Sequence, residues 1–382
     1  MLADDADVSF VPMNDLGELV KYFEPKEVRK FAEVVKSYTY FADGDVLCAK
    51  ITPCFENGKL GIASNLESGA GFGSSEFVVM RPKPALSAGF LYYYLSRDAF
   101  REAGARVMSG AVGHKRVPRE YFEDLPIPLP PLNGQKRIVA VLDQAFAALD
   151  RARAHAEANL ADAIELKNCC VESELSSNLL GELESVGPHV NLLTGFAFKS
   201  GGYTEDPEDI RLVRGDNIVQ GEFRWDGVKK WPVSDRANYE KYELARDDVL
   251  IAMDRTWISA GIKYAIVDQA ALPSLLVQRV ARLRSKPSLL PRYLAYWIGS
   301  KFFERYVLSI QTGLGVPHVS GSQIENFSIR VPSISEQEAV LDRLDRIMER
   351  QDGLVFAYRR KLADIANLRQ SLLQKAFSGE LT

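Results

Sequence analysis

At 382 residues, with 46% hydrophobic and 26% charged residues, the chain has room for two to three domains and the composition of an ordinary globular protein. No apolar run reaches the roughly 20 residues that span a bilayer, and the acidic opening to Asp7 lacks the order of a signal peptide, so a cytoplasmic protein without membrane contact is expected. The net charge of −4 gives no global sign of nucleic-acid binding, although a local basic face is all that binding needs.

In chain order, Asp43-Gly-Asp45 precedes the strand-like Val46-Leu47, and Glu56-Asn-Gly-Lys59 precedes Leu60-Gly-Ile62 with a hairpin signal at Asn-Gly. Gly69-Ala-Gly-Phe-Gly73 lacks both GxGxxG spacing and a following helix, so it reads as a turn. Residues 91–100 carry aromatic residues and leucines at helical spacing. Pro126, Pro128, Pro130 and Pro131 then stop the chain, and a long helix is expected after them, ending near Ser176-Ser-Asn178. Its apolar stripe is Ile138, Leu142, Ala145, Leu149, Ala152, Ala156, Leu160, Ala163 and Leu166.

The same order recurs. Aligning Gln135 with Gln337 gives an offset of 202 residues, which carries Gly113 to Gly315, Val117 to Val319 and Phe122 to Ile324, while Asp45 falls within one residue of Asp248. The chain is a tandem duplication, each copy a globular part closed by a proline stop and a helix. The second stripe is Val340, Leu344, Ile347, Gln351, Leu354, Tyr358, Leu362, Ile365 and Leu368. Alanine dominates the first stripe and bulky residues the second, so the two helices are expected to pack on each other, small face against large. Residues 190–209 have no counterpart at this offset, so the first copy is expected to lack its opening segment. The expected division is a mixed α+β domain over 1–132, a helix over 133–180, a second domain over 181–333 and a second helix over 334–378, the two helices forming a coiled-coil-like spacer.

Catalytic signatures are missing. There is no GxxxxGK[ST], HExxH or GxSxG, and no Asn-Pro-Pro-aromatic sequence of amino-methyltransferases. Cys48, Cys54, Cys169 and Cys170 form no CxxC pair, so reduced structural thiols are expected and a metal site is not.

Binding residues are easier to find. Gly110-Ala-Val-Gly-His-Lys-Arg-Val117 is a glycine loop in which Gly110 and Gly113 shape the backbone and His114, Lys115 and Arg116 supply groups for phosphates. Its counterpart, Gln311-Thr-Gly-Leu-Gly-Val-Pro-His318, keeps glycines such as Gly313 and offers Gln311, Thr312 and His318 for base reading. A second pair of segments aligns Lys50, Asn57 and Lys59 with Arg255, Trp257, Ser259 and Lys263. Lysine and arginine suit phosphate or guanine, and asparagine and serine suit base edges. Trp257 is either a base contact or, more ordinarily, a core or rim aromatic. Gln278 and Arg279 are either a functional pair or strand-edge residues.

Ile127-Pro-Leu-Pro-Pro-Leu132, Gln135-Lys-Arg-Ile-Val139 and Leu368-Arg-Gln-Ser-Leu-Leu-Gln-Lys-Ala-Phe-Ser-Gly-Glu-Leu381 resemble the conserved regions of type I restriction-modification specificity subunits. Phe41-Ala-Asp-Gly-Asp-Val-Leu47, Lys50-Ile-Thr-Pro-Cys-Phe-Glu-Asn-Gly-Lys59 and Leu275-Leu-Val-Gln-Arg-Val-Ala281 are similar to segments of their target-recognition domains. The resemblance implies two target-recognition domains, each reading one half of a bipartite double-stranded DNA site, and two antiparallel helices that set the gap between the halves. It further implies no catalysis and no cofactor in this chain. As partners the resemblance implies two methyltransferase (modification) subunits, which bring S-adenosylmethionine, and restriction/translocase subunits that join them. The contrasting expectations are a coiled-coil adaptor that never touches nucleic acid and a self-sufficient methyltransferase, which the absent signature opposes.

Overall fold

A computed structural model describes residues 2–111, 113–177, 180–310 and 318–380 of the chain. Short apolar runs between turns become strands and the amphipathic stretches become helices, giving the α+β class. Two units form, one from the residues up to Ala158 together with those from Tyr358 on, the other over Asn159–Ala357. The long helices, Leu132–Ser176 and Ile334–Ser378, each place one half in each unit. Among the described residues no helix is long and apolar enough to cross a membrane.

In the first unit, Asp7–Val11 pairs in parallel with Ala70–Gly73 at the middle of a four-stranded sheet whose outer strands are Glu27–Lys30 and Thr39–Ala42. A three-stranded sheet places Val46–Ala49 between Leu60–Ile62 and Phe77–Met80. The second unit repeats the plan: Ile210–Val213 pairs in parallel with Ser274–Leu276, and Val249–Ala252 lies between Tyr264–Ile266 and Val280–Ser285. The registers match, since Val46 opposes Met80 and Ala49 opposes Phe77, while Val249 opposes Leu283 and Ala252 opposes Val280. Val190–Thr194 adds a further strand beside Val280–Ser285.

Two buried side chains are duplicated with their hydrogen bonds. Asp45 and Asp248 are each 1% exposed. Asp45 accepts from the Ala42 amide and from both Nε (2.7 Å) and Nη2 (2.6 Å) of Arg81. Asp248 does the same with the Ala245 amide and Arg284. The paired carboxylate raises the pKa of either arginine, because a charged donor is what it stabilises. Gln135 and Gln337, both 0% exposed, open the long helices. The Gln135 Oε1 accepts from the Ser87 amide, and its Nε2 donates to the carbonyls of Ala85 (2.9 Å) and Pro130 (2.8 Å). Gln337 makes the same three bonds to Leu290, Ser288 and Pro332. Only a primary amide supplies one acceptor and two donors in this geometry. It satisfies the carbonyl of a proline just before the helix and ties the helix start to the turn ahead of a buried helix.

The helices seal the cores of their units. In the first, Ile138, Leu142 and Phe146 of one helix and Leu373 and Ala376 of the other join a cluster with the buried residues 90–95. Phe377 meets Phe90 and Tyr94 edge-on, and Arg369 ion-pairs with Asp150 while lying over the Phe146 ring. In the second, Leu175 of one helix and Val340 and Leu344 of the other join Tyr293, Trp297 and Phe303, with Arg343–Glu174 and Lys167–Asp352 pairs alongside. Within each unit the start of one helix therefore lies against the end of the other. Ala156 and Ala163 are buried as the stripe requires, but Leu166, Leu354 and Leu368 are exposed by 38–49%. An α-helix drifts by about 20° per seven residues, so a seam followed by threes and fours leaves its partner.

Three local readings change. The glycine run is not a turn: Ala70–Gly73 is a wholly buried strand, where the ring of Phe41 lies over Gly71 and Gly73 sits against the carbonyl of Val11. The strands around the Asn57-Gly58 signal do pair antiparallel, but through a long connection over residues 50–59 that the signal only closes, Gly58 taking the left-handed conformation at φ +78°. Residues 91–100 split into helices Ala88–Leu95 and Asp98–Arg106, because the Ser96 hydroxyl bonds back to the Tyr92 carbonyl and closes the first helix.

Replacing Gln337 by alanine is expected to cost about 2–4 kcal/mol, since three buried bonds are lost and their partners are left unpaired. Urea unfolding measures this, and an unchanged midpoint would show that the amide does not hold the helix.

Candidate nucleic-acid interface

In the first unit, the chain leaving Val46–Ala49 is met by two other segments. The Lys50 amide donates to the carbonyl of Glu76 (2.9 Å), the Val117 amide donates to the carbonyl of Lys50 (2.8 Å), and Ile51 bridges Arg116 antiparallel. Ser109 and Arg116 exchange two backbone bonds, closing the glycine loop on itself. That closure needs glycine. Gly110 and Gly113 have φ of +126° and +80°, and a Cβ on Gly110 would lie 2.9 Å from the carbonyl oxygen of His114.

At this junction Arg116 forks onto Glu76, with Nη2 at 2.7 Å from Oε1 and Nε at 3.0 Å from Oε2. The guanidinium holds the Glu76 carboxyl below the usual range, first through the hydrogen bond and then through charge. His114 and Lys115 are exposed beside it, and Lys115 has no ion-pair partner among the described residues. The Lys50 ammonium donates to the carbonyl of Ser75.

The second unit repeats the backbone wiring with other side chains. The Met253 amide donates to the carbonyl of Arg279 (2.8 Å), the Val319 amide donates to the carbonyl of Met253 (2.9 Å), and Asp254 bridges His318 antiparallel. Asp254 Oδ1 lies 2.6 Å from His318 Nδ1, and its Oδ2 lies 3.6 Å from Arg279 Nε. Arg255 is exposed next to this group. Both Arg255 and Arg279 hold left-handed backbone, at φ +48° and +69°, which costs a side-chain-bearing residue about 1–3 kcal/mol.

The remaining sequence-based candidates divide. Trp257 is half-buried against the core of its unit, in a hairpin of Trp257–Ile258 with Gly261–Ile262 whose turn exposes Ser259. The Lys263 ammonium donates to the carbonyl of Gly215, and burial lowers its pKa. Lys59 likewise turns inward, donating to the carbonyls of Met13 (3.0 Å) and Leu16 (2.8 Å), and Asn57 donates to Glu18. Gln311, Thr312 and Gly313 lie outside the described residues. The structure therefore gathers Lys50, Lys115 and Arg116 in one unit and Arg255 and His318 in the other, and places Asn57 and Lys59 on other partners.

Sequence reasoning passed over Glu76 and Asp254 and left Arg279 open. The usable signal was the one-residue shift between Asp45 and Asp248. Carried forward, it sets Glu76 over Arg279 and exposes opposite charges at equivalent positions. Burial pushes the Cys48 thiol up to about 12, which keeps it protonated and unreactive.

The family model described as "Type I restriction modification DNA specificity domain" matches residues 2–158 and again 190–354. The EcoAI specificity subunit of Escherichia coli is 29% identical over 91% of this chain and 74% of its own length. The EcoEI specificity subunit, also of Escherichia coli, is 41% identical over 37% of this chain and 24% of its own. A solved structure described as showing complex assembly and conformational transition of the type I R-M system matches with a TM-score of 0.79 at 18% identity, over 99% of this chain and 93% of that one. The HsdS subunit from Thermoanaerobacter tengcongensis matches with a TM-score of 0.55, also at 18% identity, over 99% and 92%. These two likenesses concern the fold.

The lowered Glu76 carboxyl sets a pH dependence. The stabilisation relative to Glu76→Gln is expected to be of the order of 1 kcal/mol, because Arg116 remains solvated. It is complete above the ordinary glutamate value and fades as pH falls through the depressed one. Urea unfolding of both proteins between neutral and acid pH measures it, and a difference that persists into strong acid would contradict the ion pair.

Proposed function

The chain belongs to the type I restriction modification DNA specificity family, and from that premise we propose that it reads a bipartite, asymmetric DNA site, one half with each unit. The observation that carries this reading is the duplicated junction. The same backbone wiring presents Ile51, Glu76 and Arg116 in one unit and Asp254, Arg279 and His318 in the other. A shared frame with unlike side chains is what two unlike half-sites ask for, because base edges are told apart by their donors and acceptors. The Lys115 ammonium and the ring N–H of His114 fit phosphate contacts, which position a protein on the duplex without reading sequence.

In this reading the two long helices set the gap between half-sites and offer the surface on which methyltransferase subunits dock. Those subunits carry S-adenosylmethionine and do the chemistry on adenine, and restriction/translocase subunits complete the assembly. The chain itself contributes recognition and no catalysis.

Mapping methylated adenines by long-read sequencing, in cells that hold the modification subunit with and without this chain, tests the proposal. A single bipartite motif methylated only when the chain is present is expected. A methylation pattern indifferent to the chain would overturn it.

A further inference from the structure

The junction of Asp254, Arg279 and His318 has a feature that its backbone role does not require. The wiring that joins the three segments runs through main-chain groups alone, and the first unit closes the same wiring with Ile51, Glu76 and Arg116. The fold therefore leaves the side chains at these positions free to serve something else.

How the second unit uses that freedom is specific. The Asp254 carboxylate is hydrogen-bonded to His318 at Oδ1, and Arg279 lies at ion-pair distance, 3.6 Å, from Oδ2. Arg279 reaches it through Nε, and its side chain remains 60% exposed. The terminal nitrogens are thus left toward solvent with the fork oriented from behind. The backbone beneath is held left-handed at φ +69°, as is that of Arg255 nearby at +48°. An arginine on left-handed backbone, drawn toward a carboxylate at its inner nitrogen and largely exposed beyond it, suits a ligand with two acceptors side by side. On a DNA duplex that pattern belongs to the O6 and N7 of guanine in the major groove.

We propose that Arg279 reads a guanine in the half-site of the second unit, with Asp254 as the positioning residue that His318 in turn holds. Glu76, which occupies the equivalent place in the first unit, is forked by Arg116 and has no donor to offer, so the two half-sites are not read alike at this position. This inference rests on the reading of the second unit as a DNA reader.

The test maps methylated motifs of the assembled complex in wild-type form and with Arg279→Asn, Arg279→Lys and Asp254→Ala. Asparagine tolerates the left-handed backbone, and lysine keeps the charge but loses the fork. The expected result is that both Arg279 variants relax the preference for guanine at one position of one half-site by about tenfold or more, with the gap and the other half-site unchanged. Asp254→Ala is expected to relax the same position to a lesser degree. If methylation by a variant is too weak to map, competition binding to duplexes substituted at each position reads the same preference directly. Its loss, with non-specific DNA affinity kept, supports the proposal. A guanine preference that survives in Arg279→Asn overturns the role of Arg279. A wild-type complex with no bipartite motif would instead overturn the reading of the chain as a DNA reader.

Discussion

Gln135 and Gln337 are buried amides whose donors and acceptor are all used, and each ties three chain segments at one point: the proline that ends a domain, the turn before its first buried helix, and the start of a long helix. Most of what the fold achieves depends on this tie. A helix of 45 residues joined to a domain only through a flexible turn would swing freely. Joined through a dry, three-bonded amide, it leaves its domain in one direction, and the core beneath can then pack against a fixed surface. An unpaired amide in that position would cost far more than the bonds return, so the arrangement is held as a whole or not at all.

Around this tie the two units keep their frame and change their contents. The aspartate–arginine pairs, Asp45 with Arg81 and Asp248 with Arg284, and the parallel strand pairs are alike in both. The junction side chains are not: a glutamate with an arginine in one unit, an aspartate between a histidine and an arginine in the other. A scaffold that carries its geometry in buried groups and main-chain bonds can alter exposed residues at little cost to stability. In the proposed function, that division lets one architecture serve two different half-sites.

The sequence revealed the periodic elements well, because helix and strand repeats are local properties. The two long helices and Val46–Ala49 follow from spacing, and the duplication itself follows from matching Gln135 to Gln337. Features that depend on distant partners were hidden. Gly71 reads as a turn residue until Phe41, its partner thirty positions earlier, is known to lie across it. Lys59 and Lys263 read as ligand-facing cations, yet both spend their donors on backbone carbonyls far away in sequence. The candidate site was half legible for the same reason: Lys50, Lys115, Arg116, Arg255 and His318 could be singled out as candidates, but Glu76 and Asp254 gain meaning only when three separate segments converge.

The central claim of the proposed function is that two independent readers are set apart by the long helices. Adding seven residues to each helix, one insertion after Ala158 and one before Tyr358, lengthens both by about two turns, or roughly 10 Å. Mapping the methylated motif of the altered complex measures the consequence. The gap is expected to grow by about three base pairs, at roughly 3.4 Å each, with both half-sites intact. A gap of unchanged length between unchanged half-sites would contradict the claim.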